Sequence, residues 1–425
     1  MNPMENIQMD NLYKYSQFNI VVDTKENGDK YIFNAYTCKG LWIDKEDQKL
    51  IIDKSDIDPL DISQAIVENG IVIDNTLDEL QRIKDHYTSI STRDDVLMFT
   101  IIPSMACNYR CKYCFEGDRT HNKQVMSEET IEATAKFIAD RYNELPNVKV
   151  VQIKWFGGEP LLHLDTIEKI YNKLVEYKVP TESWMYSNGL LMNDKNTEIL
   201  NKLSLNKKGI IITLDGLPST NAQVKKCNEK DFYIVLNNIK KAQDIIPIIL
   251  KINITESNRS EINEIIDTVV RLGVSTRLKI DRVYDSDNSI EYNDIYIIEH
   301  ELIEYCKQKK YSNIILKQGE FGVCCEGNIN NNYTIGPDGT LYQCSNCINV
   351  QEYQCGSVFT GFKETEISHY FTDFNLEEKC INCKYLPMCY GSCRYSRLTK
   401  SDRFVCEKFL ERKERQLKVL ADRNK

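Results

Sequence analysis

Three cysteines between residues 107 and 114 are the side chains of this chain best spaced for metal chemistry. Their pattern is C-x3-C-x2-C, and it directly follows an apolar run at residues 96–102. Thiolates this close in sequence can share one metal centre, but a zinc ion or a cluster held by protein alone normally takes four ligands. We therefore predict a metal centre at Cys107, Cys111 and Cys114 with one position open for a substrate or cofactor. A zinc knuckle completed by a distant Cys or His is the alternative.

A second set of candidate residues follows predicted strands. Gly157 and Gly158 allow the backbone to approach a ligand closely, and Glu159 offers a fixed acceptor for an ammonium group. Taken singly, each of these polar or glycine positions is equally compatible with an ordinary turn. Because they recur after successive strands, we predict that they bind one shared ligand. The remaining members of this set are Ser187, Asn188, Asp215 and Asn253.

The last quarter of the chain contains ten of the sixteen cysteines, from Cys324 to Cys406. No N-terminal secretory pattern is present, so these cysteines are predicted to be metal ligands rather than disulfides. Two structural zinc sites are the alternative to iron–sulfur clusters. The scattered Cys38, Cys227 and Cys306 are predicted to be small buried apolar side chains.

Composition excludes some classes of function. The 425 residues predict about three domains. A formal charge of −9 argues against a general nucleic-acid partner. No apolar run reaches membrane length, so we expect a cytoplasmic protein without a membrane partner. The short lysine-rich patches Lys225-Lys226 and Lys307–Lys310 are predicted to be solvated surface.

The central half predicts an α/β fold, because β-prone runs alternate with amphipathic helical stretches. Six such units in succession predict a parallel sheet with right-handed crossovers, as in a partial (β/α)6 TIM-like barrel, with the chemistry at the carboxyl ends of the strands. The predicted strands are Leu97–Ile102, Val150–Trp155, Ser183–Ser187, Ile210–Leu214, Ile248–Ile254 and Arg277–Asp281. The predicted helices are Ser127–Asn143, Asp165–Tyr177, Asp194–Leu203, Phe232–Ala242, Arg259–Leu272 and Tyr292–Lys309.

The first hundred residues predict a small module of hairpins and short helices. Strands are predicted at 18–22, 30–34, 49–52 and 70–74, and helices at 61–68 and 77–87. Without a cysteine cluster or catalytic group, this module is interpreted as a binding unit or as structural support for the next domain.

These motifs together resemble the radical S-adenosylmethionine (SAM)/SPASM peptide maturases. The resemblance is carried by the first three cysteines with Tyr113 before the last, by the Gly-Gly-Glu-Pro sequence ending at Pro160, and by the spacing of the late cysteines from Cys325. It implies SAM and three [4Fe-4S] clusters as cofactors. The amino group of SAM would be held at Gly157–Glu159, and the backbone at Tyr113 would contact the adenine.

The resemblance also implies the ligands of two auxiliary clusters. The outer cluster would be held by Cys380, Cys383, Cys389 and Cys406, and the inner one by Cys325, Cys344 and Cys393. The fourth inner ligand stays open between Cys324, Cys347, Cys355 and an iron that binds a substrate thiolate.

The implied organisation has three parts. Residues 1–92 would form a winged-helix-like domain that binds the leader of a precursor peptide as an added strand. Residues 93–310 would form the radical SAM partial barrel, and residues 311–425 a SPASM domain with a C-terminal helix. An electron donor such as flavodoxin or ferredoxin is the further partner that the resemblance implies.

The leading functional hypothesis is modification of a ribosomally made peptide, with a cysteine thioether cross-link as the product. Formation of formylglycine, as in anaerobic sulfatase maturation, is the runner-up, but those enzymes carry Asp after the position of Cys344, where this chain has Ser345. Carbon–carbon cross-linking and epimerisation also remain open. From another class, a zinc-stabilised scaffold or regulator is the alternative to an enzyme.

Overall fold

The computed structural model of the chain describes residues 12–114, 116, 123–291, 294–311, 314–316, 325–402 and 404–424. Cys324, one candidate for the open ligand position, lies outside these ranges.

The N-terminal part is a three-stranded antiparallel meander followed by short helices. The meander pairs β2 with β3 and β3 with β4, while the short β1 and β5 pair separately. The bounds are β1 Tyr13–Tyr15, β2 Asn19–Thr24, β3 Lys30–Asn34, β4 Lys39–Ile43, α1 Lys45–Ile51, α2 Gln64–Glu68, β5 Val72–Asp74 and α3 Glu79–Ser91. The antiparallel pairing of β2 with β3 confirms one of the hairpins predicted for this module.

One predicted strand is wrong. Residues 49–52 end helix α1 instead, and the third strand of the meander is β4, which precedes that helix. The side chain of Asp44 caps the helix by accepting hydrogen bonds from the amides of Glu46 and Asp47, at 2.9 and 2.8 Å. This cap satisfies donors that would otherwise be unpaired, and it outweighs the β propensity of the apolar run that follows.

The central part confirms the predicted strand–helix alternation. Its strands are parallel and lie side by side in chain order, and each of the six predicted strands and helices is present. The strands are β6 Met98–Ile101, β7 Val151–Trp155, β8 Thr181–Ser187, β9 Leu205–Thr213, β10 Ile248–Ile254 and β11 Thr276–Arg282. The helices are α4 Glu128–Glu144, α5 Leu164–Glu176, α6 Asp194–Asn201, α7 Pro218–Lys225, α8 Glu229–Ala242, α9 Ile262–Arg271 and α10 Asp294–Gln308.

The sheet is larger than six strands. Strand β12 (Ile314–Leu316) extends it beyond β11, and β13 (Asn332–Ile335) pairs in parallel with β6 at the other edge. β14 (Leu341–Tyr342) then returns antiparallel to β13, so the two strands form a hairpin. The mixed α/β, partial-barrel class is therefore confirmed, with two more parallel strands than predicted. The domain boundary between residues 310 and 311 stays a prediction. Strands β12, β13 and β14 follow this boundary in the sequence and still belong to the sheet.

The C-terminal part consists of short elements that carry the late cysteines. These are β15 Gly356–Ser357, β16 Gly361–Phe362, α11 Glu366–Thr372, α12 Glu378–Ile381, α13 Leu386–Cys389, α14 Arg394–Thr399 and α15 Cys406–Arg423. Helix α15 packs on the N-terminal meander, and the two share one apolar core that includes Phe18, Phe33, Phe409 and Leu417. In the described ranges, no helix has the length and apolar character needed to cross a membrane.

Candidate active site

A cavity of about 730 Å³ lies where the parallel strands end, and it brings together most of the predicted site residues. Its wall includes all three cysteines of the first motif, and Ser345 and Asn346 from the C-terminal part. The other predicted residues that line it are Tyr113, Gly157, Gly158, Glu159, Ser187, Asn188 and Asn253.

The loop that carries the first three cysteines is held from two sides. On one side the amide of Glu159 donates to the carbonyl of Ala106 at 2.8 Å. On the other, the amides of Arg110 and Lys112 donate to carbonyls at the end of α7, at 3.1 and 2.9 Å. The loop is thus fixed between the end of β7 and helix α7 before any ligand binds.

The environment of these thiols disfavours the free thiolate. Burial is the main cause, and it raises the pKa of Cys107 to about 11 and that of Cys111 to about 12. Negative charge on Cys114 adds to both shifts, which shows that the three sulfur atoms interact electrostatically. A bound metal would compensate this cost, because metal ligands must be deprotonated.

Glu159 joins the ends of two strands. Its buried carboxylate accepts hydrogen bonds from the hydroxyl of Ser187 at 2.8 Å, the amide of Asn188 at 2.8 Å and the amide of Leu161 at 3.0 Å. Burial raises the pKa of this carboxyl, while the three hydrogen bonds oppose the shift. The side-chain amide of Asn188 also reaches the cysteine loop, donating to the side chain of Asn108 at 2.7 Å.

Asp215 is fully buried behind the cavity wall and connects several residues that line it. Its carboxylate accepts from the hydroxyl of Tyr113 and from the amide of Asn253, the latter at 2.8 Å. The Nζ atom of Lys225 lies 3.4 Å from the same carboxylate. The predicted cofactor role of Asp215 therefore remains a prediction, while the structure shows it positioning Tyr113 and Asn253.

The prediction that Lys225 is solvated was wrong. Its side chain is 1% exposed, and its Nζ also donates to the hydroxyl of Thr213 at 2.7 Å. Lys226 next to it is exposed, so the two adjacent lysines differ in burial. The buried one could not be recognised from two adjacent lysines alone.

Further cations of the cavity were also missed by the sequence reasoning. Lys154 and Lys251 lie inside β7 and β10, and Arg282 ends β11. The sequence did contain a signal for the two lysines, because each lies between apolar residues within a strand. Neighbouring side chains of a strand face opposite sides of the sheet, so such a lysine points away from the side that its apolar neighbours face. Each of these cations has a carboxylate partner, namely Glu326, Asp281 and Asp402 respectively.

The late cysteines form two groups. Cys380, Cys383, Cys389 and Cys406 are half-buried, and charges on the other three contribute to the raised pKa of Cys389, which burial takes to about 12. The second group joins Cys325, Cys344 and Cys393, since the latter two raise the pKa of Cys325 in addition to burial. A smaller cavity of about 210 Å³ has Cys325 and Cys393 on its wall together with Cys389 of the other group.

The donor set fits iron–sulfur clusters. No disulfide joins any two cysteines of the described ranges. Within those ranges, no three His, Cys, Asp or Glu side chains are close enough to hold a single metal ion. A cubane cluster places iron and sulfide between its ligands, so it suits thiols grouped at wider spacing. Of the scattered cysteines, Cys306 is buried as predicted, but Cys38 is exposed and Cys227 is half-buried beside Asn221.

Comparison with known proteins agrees with this geometry. Residues 101–269 match the radical SAM superfamily, whose members bind SAM and a [4Fe-4S] cluster. Residues 101–269 form a radical SAM domain. The radical SAM cyclopropyl synthase TigE of Paramaledivibacter caminithermalis is 30% identical to this chain over a segment that covers 28% of each protein. The aligned part is therefore less than a third of either chain.

Solved structures show the same fold over a longer stretch. The structure of anSMEcpe with bound AdoMet has a TM-score of 0.60 and 18% identity, and it covers 77% of this chain and 98% of that one. Streptococcus suis SuiB bound to its precursor peptide SuiA has a TM-score of 0.57 and 16% identity, and it covers 92% of this chain and 97% of SuiB.

Proposed function

We propose that this protein is a radical SAM/SPASM maturase that modifies a ribosomally made precursor peptide and forms a cysteine thioether cross-link. The observation that carries the proposal is the composition of the large cavity. The loop of Cys107, Cys111 and Cys114 forms one part of its wall, and the residues that follow Cys344 form another. A substrate in this cavity would thus lie between the radical-generating cluster and the inner auxiliary cluster.

The chain's own residues account for binding and orientation. Cys107, Cys111 and Cys114 would hold a cluster that leaves one iron for SAM, and Gly157–Glu159 would receive the amino group of SAM. Bound at this cluster, SAM would supply the radical chemistry that removes a hydrogen atom from a peptide carbon. Tyr113 and Asn253 are held by Asp215, so the adenosine side of the cavity is preorganised.

The N-terminal module supports a peptide substrate. Its meander has two edge strands, β2 and β4, each of which pairs only with β3 among the described strands, and a peptide could add to a free edge. The match to SuiB covers 92% of this chain against 77% for anSMEcpe, and SuiB in that structure is bound to its precursor peptide. A larger part of this chain thus has a counterpart in the peptide-bound SuiB structure than in anSMEcpe.

Two features favour the thioether over formylglycine. The residue after Cys344 lines the cavity, and it is Ser345 where the formylglycine-forming enzymes carry Asp. A hydroxyl is a much weaker base than a carboxylate at neutral pH. The match to anSMEcpe also covers only 77% of this chain, although it covers 98% of that chain, so part of this chain has no counterpart there.

The test combines mass and thiol counting. Reduced enzyme, SAM and a precursor peptide encoded beside the gene should give a mass loss of about two daltons for each link. Alkylation with iodoacetamide should then label one thiol fewer for each link, because a thioether consumes the cysteine. A loss of about two daltons with all thiols still alkylated would indicate another oxidation, and an unchanged mass would contradict the proposal.

Two controls separate the enzyme from a zinc-stabilised scaffold. Anaerobically purified protein should be brown and contain roughly twelve irons, whereas a scaffold would be colourless with stoichiometric zinc. Replacing Cys107, Cys111 and Cys114 by Ala should abolish SAM cleavage and leave about eight irons. Cleavage that survives this change would refute the assignment of the radical-generating site.

A further inference from the structure

The inner cysteine group has three predicted ligands, and the structure points to a fourth. We infer that Cys347 completes the inner auxiliary cluster, which is then held by the four thiolates of Cys325, Cys344, Cys393 and Cys347. This inference rests on the proposed presence of auxiliary clusters, and it specifies how the peptide can bind beside them.

The local backbone places Cys347 next to Cys344. Cys344 opens a short 3-10 turn at Ser345–Cys347, and the amide of Cys347 donates to the carbonyl of Cys344 at 2.9 Å. Both side chains are buried in one apolar cluster, and their thiols are hydrogen-bonded to each other. A C-x2-C turn with this geometry is the usual way for two neighbouring cysteines to reach one metal centre.

Cys347 is also connected to a more distant member of the group. The apolar cluster that contains Cys344 and Cys347 also packs against Tyr395 and Leu398 of α14, the helix that begins after Cys393. Cys347 therefore lies close to Cys344 and to the helix that carries Cys393, although it precedes Cys393 by 46 positions in the sequence.

Cys355 is engaged elsewhere. Its sulfur lies 3.7 Å from the carbonyl of Tyr353 and 3.6 Å from the hydroxyl of Thr365. Its amide donates to Leu341 at 2.7 Å, which fixes the residue against β14. It is thus a buried, hydrogen-bonded cysteine that serves as a matched control for Cys347.

The same turn separates the cluster from the substrate. Cys344 and Cys347 begin and end it, while Ser345 and Asn346 between them line the large cavity. The side-chain amide of Asn346 also donates to the sulfur of Cys344 at 3.8 Å. A peptide in the cavity would then meet a hydroxyl and an amide, and its sulfur would not bind an auxiliary iron.

The experiment uses the full chain with Cys107, Cys111 and Cys114 replaced by Ala, so that only auxiliary clusters contribute. Ferricyanide removes one electron from a [4Fe-4S]2+ cluster with only three protein ligands, and the unprotected iron leaves as Fe2+. The remaining [3Fe-4S]+ cluster is detected by EPR. A cluster with four cysteine ligands resists this loss.

We expect no [3Fe-4S]+ signal from this parent, and a signal of about one spin per chain after adding Cys347→Ala. Cys355→Ala and Cys324→Ala should behave like the parent, and Cys347→Ser should suppress the signal, since its hydroxyl can replace the thiolate. The same assignment would be supported if Cys347→Ala were the only one of these added substitutions that removes the inner cluster and if the EPR signal of the outer cluster were kept.

Three outcomes would overturn the inference. The first is a [3Fe-4S]+ signal from the parent, which would mean that one iron has no protein ligand. The second is such a signal after Cys324→Ala. The third is a Cys347→Ala variant whose EPR spectrum and iron content equal those of the parent. A parent without iron would instead refute the auxiliary clusters of the proposed function. Failure of the inference and failure of the proposal are thereby distinguishable.

Discussion

The ion pair of Lys225 and Asp215 is the most completely buried charge pair described at the site. Their side chains are 1% and 0% exposed, and Asp215 at the same time orients Tyr113 and Asn253. A buried pair adds little stability compared with apolar residues, but removal of one partner leaves an uncompensated charge. The backbone of Lys225 also holds the cysteine loop through Arg110. The ion pair of Lys225 and Asp215 should therefore affect both the stability of the fold and the binding of a cluster by the loop of the first three cysteines.

We predict that Lys225→Met destabilises the metal-free chain by about 3–5 kcal/mol, because it leaves the Asp215 carboxylate buried without its cation. Urea denaturation followed by circular dichroism measures this as a lower midpoint. Lys226→Met is the matched control, because Lys226 is exposed, and it should change stability by less than about 0.5 kcal/mol. Equal midpoints for the two variants would show that the pair has no such role.

Residue-level prediction from sequence succeeded where a motif fixes the position and failed where burial decides. Cys107, Glu159 and Asn188 meet in one cavity because each follows a strand of a parallel sheet. Lys225 was missed because its burial depends on how α7 packs behind β9, which no local pattern encodes. The contacts of Asp215 depend on the same packing.

At the scale of elements, the cysteine loop depends on one glycine in the turn after β7. A Cβ atom at Gly158 would lie 2.3 Å from the carbonyl oxygen of Ala106 and 2.4 Å from that of Met105. Its φ is not positive, so the requirement is steric rather than conformational. The loop and the turn can be this close only because position 158 has no side chain.

Gly158→Ala should therefore displace the cysteine loop and lower the content of the first cluster. We expect a loss of about four irons per chain together with SAM cleavage, while the auxiliary clusters remain. Gly327→Ala is the control, since a Cβ there meets its nearest atom at 3.6 Å, an ordinary contact. Full iron content in Gly158→Ala would mean that the loop can move without losing its cluster.

The elements themselves were largely predictable, and the exceptions have physical causes. The strands and helices from β6 to α10 follow apolar periodicity, which is strong in buried parallel strands. The apolar run at residues 49–52 predicts a strand, but the cap at Asp44 starts a helix that continues to Ile51. β12 and β13 join the sheet through pairing distant in sequence, and β13 pairs with β6 more than 200 residues earlier. Single-sequence patterns do not reveal such pairing.

At the scale of the whole molecule, two ion pairs join the barrel to the parts that carry the auxiliary cysteines. Lys154 in β7 pairs with Glu326 at 2.7 Å, next to Cys325. Arg282 at the end of β11 pairs with Asp402, whose carboxylate also accepts from the amide of Asp285 at 2.7 Å. These contacts fix the region of the late cysteines against the wall of the cavity.

We predict that Asp402→Asn leaves SAM cleavage in the absence of peptide unchanged but uncouples cleavage from peptide modification. The ratio of 5′-deoxyadenosine to modified peptide should rise about tenfold, which corresponds to roughly 1.4 kcal/mol of lost positioning energy. Arg259→Ala, which removes an exposed ion pair with Asp294, should keep the wild-type ratio. An unchanged ratio in Asp402→Asn would show that its ion pair with Arg282 does not position the clusters.

The N-terminal module is built into the rest of the molecule. Besides the core that its sheet shares with α15, the hydroxyl of Tyr87 in α3 accepts a hydrogen bond from Asn328 at 2.9 Å, close to Cys325. The hydroxyl of Tyr31 likewise accepts from Asn424 at 3.2 Å. The module should therefore stabilise the region of the late cysteines.

This coupling yields a prediction about truncation. Deleting residues 1–92 would expose apolar side chains of α15 such as Phe409 and Leu417, so we expect aggregation and loss of the outer cluster. Deleting only residues 1–11 keeps the shared core and should preserve iron content. A soluble truncated chain with full iron content and an unchanged melting temperature would show that the module is an independent domain.

Leader binding is tested separately, on the intact enzyme with a peptide that lacks its leader. This peptide should have a raised KM and a nearly unchanged kcat.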